Sequence, residues 1–86
     1  MQFIYSRNFQ KKFQKLSRGV KRRIKERLVL LAQNEFHPLL KSHALHGKYV
    51  HSRSININGD LRLIYRKVDE TTVRLDEIGT HSELYE

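Results

Sequence analysis

The end of the chain, "IGTHSELYE", carries two groups that can exchange protons. His81 and Tyr85 are four residues apart, and this spacing places two side chains on the same side of a helical turn or of a strand. Imidazole has an unperturbed pKa of about 6.5, so His81 can give or take a proton near neutral pH. The same spacing also fits a C-terminal segment that docks Leu84 and Tyr85 as packing.

The remaining histidines do not form a metal-binding pattern. No pair has the spacing of a helical zinc site, and the chain has no cysteine to complete one. These histidines are His37, His43, His46 and His51. We therefore expect no metal and no other cofactor.

Histidines beside basic residues suit one reaction class, the metal-independent cleavage of RNA. The 2′-hydroxyl of the RNA is then the nucleophile. A base must take its proton, an acid must protonate the leaving 5′ oxygen, and cations must stabilise the phosphorane. Histidine suits the first two tasks, and arginine suits the third. The composition permits this chemistry without requiring it.

The charge of the chain is large and unevenly distributed. Seventeen Lys and Arg against nine Asp and Glu give a net charge of +8, with +13 in residues 1–67 and −5 in residues 68–86. A basic body of this kind binds polyanions, most often nucleic acid, by releasing counterions. The alternative is that the charge only keeps the chain soluble.

The length of 86 residues predicts a single domain spanning residues 1–86. The N-terminal stretch "MQFIYSRNF" lacks the long apolar run of a signal peptide, and no segment approaches the length of a membrane span. We therefore expect a cytoplasmic protein without a membrane partner.

The first half of the chain predicts a short strand and two amphipathic helices. Phe3–Tyr5 is apolar enough for a strand, and Ser6 is a plausible helix N-cap. Two apolar stripes at helical spacing follow, with Gly19 as the break between them: Phe9, Phe13 and Leu16, then Val20, Ile24, Leu28 and Leu31. This pattern indicates a helical hairpin. Residues 34–48 have no clean period and predict a loop that includes one helical turn.

Three strands are predicted next, at about Tyr49–Ile57, Leu61–Lys67 and Thr72–Ile78. Asn58-Gly59 favours a two-residue turn, but that turn places the apolar side chains of the first two strands on opposite faces. A three-residue connection, 58–60, aligns them, and burial fixes register more firmly than turn preference does. We therefore predict an α+β fold. An N-terminal strand and an α-helical hairpin pack on one face of a small antiparallel sheet, and the other face is polar, basic and open.

Three stretches of the chain together resemble the YafQ branch of the RelE/ParE toxin superfamily. They are "HALHG" (His43–Gly47), "GDLRLIYR" (Gly59–Arg66) and "IGTHSELY" (Ile78–Tyr85). Their order and spacing match the family pattern, and the helical hairpin before them fits a RelE-like fold. Two residues depart from the sequence pattern of the family. Many YafQ-type toxins have histidine where this chain has Asn56 and tryptophan where it has Leu61.

Carried over position by position, the resemblance implies four catalytic residues: His43, Asp60, His81 and Tyr85. His81 is then the general acid toward the leaving 5′ oxygen, and either His43 or Asp60 is the base. Tyr85 orients a base or a phosphate. The substrate-binding candidates are basic residues, with Arg62 and Arg53 assigned to the phosphorane, and they comprise Arg53, Arg62, His46, Lys48 and Arg66.

The resemblance implies the toxin of a bacterial type II toxin–antitoxin system. Such a toxin enters the ribosomal A site, cuts mRNA there and inhibits translation. A cognate acidic antitoxin neutralises it in a hetero-oligomeric complex. Two alternatives stay open: a non-enzymatic inhibitor of DNA gyrase, as in ParE-type relatives with the same architecture, and an inactive RNA-binding relic.

Overall fold

A five-stranded sheet forms the centre of residues 1–85, the part of the chain that the computed structural model describes. Its strands are β1 (Gln2–Tyr5), β2 (His43–Ala44), β3 (Arg53–Asn58), β4 (Leu61–Lys67) and β5 (Thr72–Thr80). They lie in the order β1-β5-β4-β3-β2. β1 runs parallel to β5, and the other neighbouring pairs are antiparallel. The predicted α+β fold is confirmed, with one parallel pair that the sequence did not indicate.

Three α-helices accompany the sheet in the described residues: α1 (Arg7–Gln14), α2 (Arg18–Gln33) and α3 (His81–Tyr85). Two short 3₁₀ turns, Pro38–Leu40 and Gly47–Tyr49, lie in the long connection between α2 and β3. None of the helices within residues 1–85 has the length and apolar character needed to cross a lipid bilayer.

Serine side chains begin both N-terminal helices. The Phe9 amide donates to Ser6 Oγ at 3.0 Å, and the Val20 amide donates to Ser17 Oγ at 3.2 Å. Each bond satisfies an amide that has no partner inside its own helix. The helices therefore separate at Ser17. The predicted break at Gly19 is wrong, because an exposed glycine in a first turn is tolerated when a cap holds the turn.

Helices α1 and α2 cover one face of the sheet. Phe9 of α1 is 3% exposed, and Ile24 and Leu31 of α2 are 0% and 1% exposed. They pack against the inward side chains of the three long strands, which are Ile55, Ile57, Leu63, Tyr65, Val73, Leu75 and Ile78. Both predicted helical stripes therefore face the main core.

The β3–β4 hairpin combines a two-residue turn with a bulge. Asn58 pairs with Leu61, so Gly59 and Asp60 form the turn, and the register shifts between Asn56 and Asn58. Gly59 has a φ of +52°, a left-handed conformation that glycine adopts without steric cost. The predicted three-residue connection is wrong. The apolar side chains of β3 and β4 nevertheless share the core face, as predicted, because the bulge restores their alignment.

Glu35 ties the connection after α2 to the sheet. Its side chain is 9% exposed, accepts a hydrogen bond from the Tyr65 hydroxyl at 2.7 Å and forms ion pairs with Lys67 and Arg53. Burial raises the pKa of Tyr65 to about 12. Burial alone would raise the pKa of Glu35 as well, but the hydrogen bonds from Lys67 and Tyr65 outweigh it and hold that pKa below its usual value. The folded chain therefore favours the ionised carboxylate.

The Glu35→Gln variant should lower the free energy of unfolding by about 1.5 kcal/mol near pH 7, because the amide accepts a hydrogen bond but carries no charge. A lowered native pKa stabilises the fold above the usual carboxyl value of 4.5, and this contribution is lost as the pH falls through the native pKa. Urea denaturation at about pH 7 and about pH 3 measures the difference between the variant and the unchanged chain, which should become smaller at the lower pH.

Glu70→Gln is the matched control, because Glu70 is exposed in the β4–β5 turn. It should leave the free energy of unfolding unchanged at both pH values. If Glu35→Gln lowered the free energy of unfolding by the same amount at both pH values, ionisation of Glu35 would not be the source of the stabilisation.

Candidate functional site

The second face of the sheet is covered at its centre. Ile64 of β4 is fully buried and packs with Leu45, which is 8% exposed, and Leu84, which is 3% exposed. Tyr49 and Tyr85 pack at the edge of this second cluster. The prediction of an open polar face is therefore wrong at its centre. An isoleucine in the middle of the sheet needs apolar cover, and the segments that supply it are the ones that carry histidines.

A capping box begins α3 immediately after β5. The Glu83 amide donates to Thr80 Oγ1 at 3.2 Å, and the Thr80 amide donates to Glu83 Oε1 at 2.7 Å. The hydrogen bond from the Thr80 backbone is the main reason why the pKa of Glu83 lies below its usual value. The box places His81 at the first helical position, exposed, while Leu84 points into the second cluster.

Gly79 permits this close return of the chain. A Cβ atom at Gly79 would lie 3.2 Å from Glu83 Oε1 and 3.3 Å from Leu84 Cδ2. Such distances are tighter than ordinary van der Waals contact, so a side chain at this position would require the side chains of Glu83 and Leu84 to shift by a few tenths of an ångström. Gly79 therefore lets the side chains of Glu83 and Leu84 pack closely against the end of β5 without such a shift.

Three aromatic rings form a continuous row on this face. The centroids of His81 and Tyr85 are 4.8 Å apart, and those of Tyr85 and Tyr49 are 6.1 Å apart in an edge-to-face arrangement. Lys48 Nζ lies 5.2 Å from the centroid of Tyr49. The Tyr85 hydroxyl is buried without a hydrogen-bond partner among the described residues. The predicted pairing of His81 with Tyr85 on one side of a helical turn is present.

A cleft of about 880 Å³ lies between α3 and the segment that precedes β3. Residues 43–49 form one wall, α3 contributes His81, Leu84 and Tyr85, and Arg62 reaches it from β4. Its lining therefore includes three histidines, one lysine and one arginine, and no acidic side chain from the described residues. This combination can transfer protons and hold an anion.

The cleft brings together six of the nine predicted site residues: His43, His46, Lys48, Arg62, His81 and Tyr85. Asp60, Arg53 and Arg66 are not part of its lining in residues 1–85. Asp60 is exposed in the β3–β4 turn, and Arg66 lies toward the other end of β4, opposite Arg74 of β5.

Arg53 is directed to a different part of the molecule. Its Nε donates to Ser42 Oγ at 3.0 Å and lies 3.6 Å from Glu35 Oε2, and its guanidinium carbon lies 5.3 Å from the centroid of Phe36. These contacts place Arg53 in the polar network that anchors the connection after α2. Sequence alone did not reveal this partner, because Glu35 is eighteen positions earlier in the chain.

His43 is held at both ring nitrogens. Nδ1 lies 3.1 Å from the Lys41 carbonyl oxygen, and Nε2 lies 3.2 Å from Ser54 Oγ on the neighbouring strand. His43 and Ser54 are paired across β2 and β3. The short strand β2 was not predicted, since two residues are too few to give an alternating pattern.

Several residues that position the site were missed from the sequence. Thr80 and Glu83 form the pattern T-x-x-E in "THSE", a capping-box signature that could have indicated a helix beginning at His81. Leu45 is an apolar residue inside a polar segment and could have been matched to the lone Ile64. Leu84 was not missed, since its packing is the alternative interpretation of the C-terminal segment, and that packing is present. Ser54 carried no such signal. Within residues 1–85, no group of three or more His, Cys, Asp or Glu side chains is arranged to hold a metal ion.

Several solved structures with this architecture are described as YafQ or as toxins. A crystal structure of YafQ from E. coli has a TM-score of 0.79 and 25% identity, covering 98% of this chain and 97% of that one. A copper-bound mutant toxin from Helicobacter pylori has a TM-score of 0.76 and 28% identity, covering 99% of both chains. A toxin–antitoxin complex of E. coli, DinJ–YafQ, has a TM-score of 0.75 and 27% identity over 98% of this chain and 96% of that one.

These likenesses define the class of the fold, that of small bacterial toxins. The family model described as "Bacterial toxin of type II toxin-antitoxin system, YafQ" matches residues 1–86. The chain therefore belongs to the YafQ family of type II toxins. A comparison with curated proteins found no match.

The second cluster, not the main core, should control the geometry of the cleft. Ile64→Val and Ile55→Val each remove one methylene from a fully buried side chain, on opposite faces of the sheet. Both should cost about 1 kcal/mol of unfolding free energy. Only Ile64→Val should shift the ring signals of His43 and His81 in two-dimensional NMR spectra. Equal shifts from both variants would show that the second cluster has no special role in placing the histidines.

Proposed function

We propose that the chain is an mRNA endoribonuclease that acts on mRNA in the ribosomal A site and thereby inhibits translation. The observation that carries this proposal is the convergence of His43, His81 and Arg62 on one cleft. These residues come from three separate elements of the fold. A cleft with two proton-transfer groups and a guanidinium has the parts that metal-independent RNA cleavage needs.

The reaction would proceed by attack of the RNA 2′-hydroxyl oxygen on the adjacent phosphorus. The base takes the 2′-hydroxyl proton as the new P–O bond forms. The P–O5′ bond breaks, and the acid gives its proton to the departing 5′ oxygen. The products are a 2′,3′-cyclic phosphate and a 5′-hydroxyl end, and no metal or co-reactant is consumed.

The proposal assigns the acid to His81 and the base to His43. His81 is exposed at the first position of α3, beside Tyr85. His43 is preferred to Asp60 as the base, because His43 lines the same cleft as His81, whereas Asp60 does not. A histidine side chain can serve as a general acid or as a general base, so either role is open to these two residues.

The remaining cleft residues suit binding of the substrate. Arg62 and Lys48 offer fixed positive charge for the scissile phosphate and its neighbour, and His46 lies beside them. The rings of Tyr49 and Tyr85 offer faces and edges against which an RNA base can stack. Arg62 is already oriented, since its Nη1 donates to the Gly59 carbonyl oxygen at 2.9 Å.

The His81→Ala variant should abolish growth arrest when the toxin is expressed, and it should reduce mRNA cleavage by about 100-fold or more, because the departing oxygen loses its proton donor. Mapping the 5′ ends of transcripts after a short induction measures cleavage and shows whether cuts fall at a fixed codon position. His51→Ala is the matched control, because His51 is exposed and lies outside the cleft lining.

Cleavage at the unchanged rate by both His81→Ala and His43→Ala would rule out this catalytic assignment. Growth arrest with a DNA-damage response and without new 5′ ends would instead indicate the gyrase-inhibitor alternative. Purified wild-type and variant chains must show the same thermal unfolding midpoint for the comparison to count.

We also propose that a cognate acidic antitoxin covers the cleft. The first 67 residues carry a net charge of +13, and the similar YafQ of E. coli is found in a complex with DinJ. An acidic, partly disordered partner that folds on binding would neutralise such a surface.

Co-expression of a small acidic protein encoded beside this chain should restore growth and should co-purify with the toxin. Arg62→Glu should weaken that complex if the partner reaches the cleft, whereas Arg22→Glu on the exposed surface of α2 should have a smaller effect. Equal weakening by both variants would place the partner on the general basic surface instead of the cleft.

A further inference from the structure

Arg62 is a half-buried cation at the start of β4, on the side of the sheet that carries the cleft. Asn56 of β3 and Gly79 of β5 lie directly opposite it on the two neighbouring strands. Directly opposite residues of antiparallel strands project to the same face of a sheet. Neither neighbouring strand therefore places a carboxylate opposite Arg62, and its charge is not neutralised from within the sheet.

Two backbone carbonyls hold one nitrogen of the Arg62 guanidinium. Nη1 donates to the Gly59 carbonyl oxygen at 2.9 Å and to the Leu61 carbonyl oxygen at 3.4 Å. A guanidinium has five N–H donors in a rigid plane, and both of these contacts use Nη1. Within residues 1–85, Nε and Nη2 have no protein acceptor and no ion pair. These two nitrogens form the side edge of the guanidinium, from which two parallel N–H bonds can reach two oxygens.

From this geometry we infer that Arg62 holds the scissile phosphodiester side-on, through Nε and Nη2, and that Gly59 is the positioning residue that orients this edge. Each of the two nitrogens donates to one of the two non-bridging oxygens of the phosphate. The Gly59 carbonyl fixes the guanidinium plane before RNA arrives, so less side-chain freedom is lost on binding. This inference rests on the proposed function, and it assigns how the substrate phosphate is held in the cleft.

The backbone conformation of Gly59 directs its carbonyl toward Arg62. Its φ is +52°, a value that residues with side chains rarely adopt. A Cβ atom at this position would meet nothing within 4 Å. The requirement at residue 59 is therefore one of conformation and not of space. Asparagine adopts positive φ several-fold more often than other residues with side chains, whereas a β-branched residue such as valine is a clear outlier there. Gly59→Asn and Gly59→Val thus separate the conformation from the added volume.

The first experiment follows the Nε–Hε signal of Arg62 in ¹H–¹⁵N NMR spectra of the full chain during titration with a deoxyadenosine dinucleotide. This probe has a phosphodiester but no 2′-hydroxyl, so it cannot be cleaved by the proposed reaction. The Hε signal of Arg62 should move downfield, because a new hydrogen bond forms, and that of Arg22 on the exposed surface of α2 should not. Gly59→Val should weaken binding of the probe by about tenfold, and Gly59→Asn by less than about twofold.

The second experiment measures mRNA cleavage in a translation extract and combines Gly59→Val with Arg62→Lys. Lysine keeps the positive charge but offers no planar pair of nitrogens for a side-on contact. Each single variant should lower the rate by about tenfold. The double variant should be no slower than Arg62→Lys alone, because Gly59 acts through the guanidinium. Arg22→Lys is the matched control and should leave the rate unchanged. Gly59→Ala replaces Gly59→Val if that variant fails to fold.

Three results would overturn the inference. An Hε signal of Arg62 that does not move on addition of the probe would exclude the side-on contact. Equal losses in Gly59→Val and Gly59→Asn would show that positive φ is not the requirement at this position. A double variant that is slower than Arg62→Lys by the full factor of Gly59→Val would show that Gly59 acts through another group. If the unchanged chain cuts no RNA, the proposed function fails, whereas the titration still decides whether Arg62 binds a phosphodiester in this way.

Discussion

Burial of Ile64 is the constraint on which the arrangement of the cleft depends. The main core lies on one face of the sheet, so an isoleucine that points to the other face must find separate cover. Leu45 and Leu84 provide it. The first lies two residues after His43, and the second lies three residues after His81. Burial of the apolar surface of Ile64 therefore favours contact between two polar segments that each carry a histidine. One segment lies near the start of the second half of the chain, and the other lies at its end.

The distribution of acidic side chains keeps the cleft electropositive. Glu35 binds Lys67 and Arg53, Glu77 binds Lys12, and Asp76 binds Arg74. Each of these acids therefore pairs with a cation that is not part of the cleft lining. In the described part of the chain, Lys48 and Arg62 have no carboxylate within ion-pair distance, so their charge is available to a phosphate. Because these three acids pair with cations outside the cleft, the cleft keeps its own cations free.

The sequence predicts the helices and strands that have a periodic apolar pattern. It does not predict features of the backbone that depend on a single contact. The stripes of α1 and α2 and the alternation of β3 and β4 are repeated signals, so single irregular residues do not hide them. The bulge near Ile57, the two-residue strand β2 and the position of the break at Ser17 each depend on local hydrogen bonds. His81 and Tyr85 could be paired from spacing because both lie on one short helix. The ion pair of Arg53 with Glu35 could not be predicted, because contacts between residues far apart in sequence leave no local pattern. Arg53 therefore remained among the substrate-binding candidates.

The row formed by His81, Tyr85 and Tyr49 has a spectroscopic consequence. The chain contains no tryptophan and four tyrosines, and two of those four line the cleft. Of the others, Tyr5 is exposed on β1, while the phenol of Tyr65 is bonded to a carboxylate inside the fold. Half of the tyrosines that give this chain its near-ultraviolet emission and circular dichroism therefore lie in the cleft. Occupation of the cleft can be followed optically in solution, without a dye or an added label.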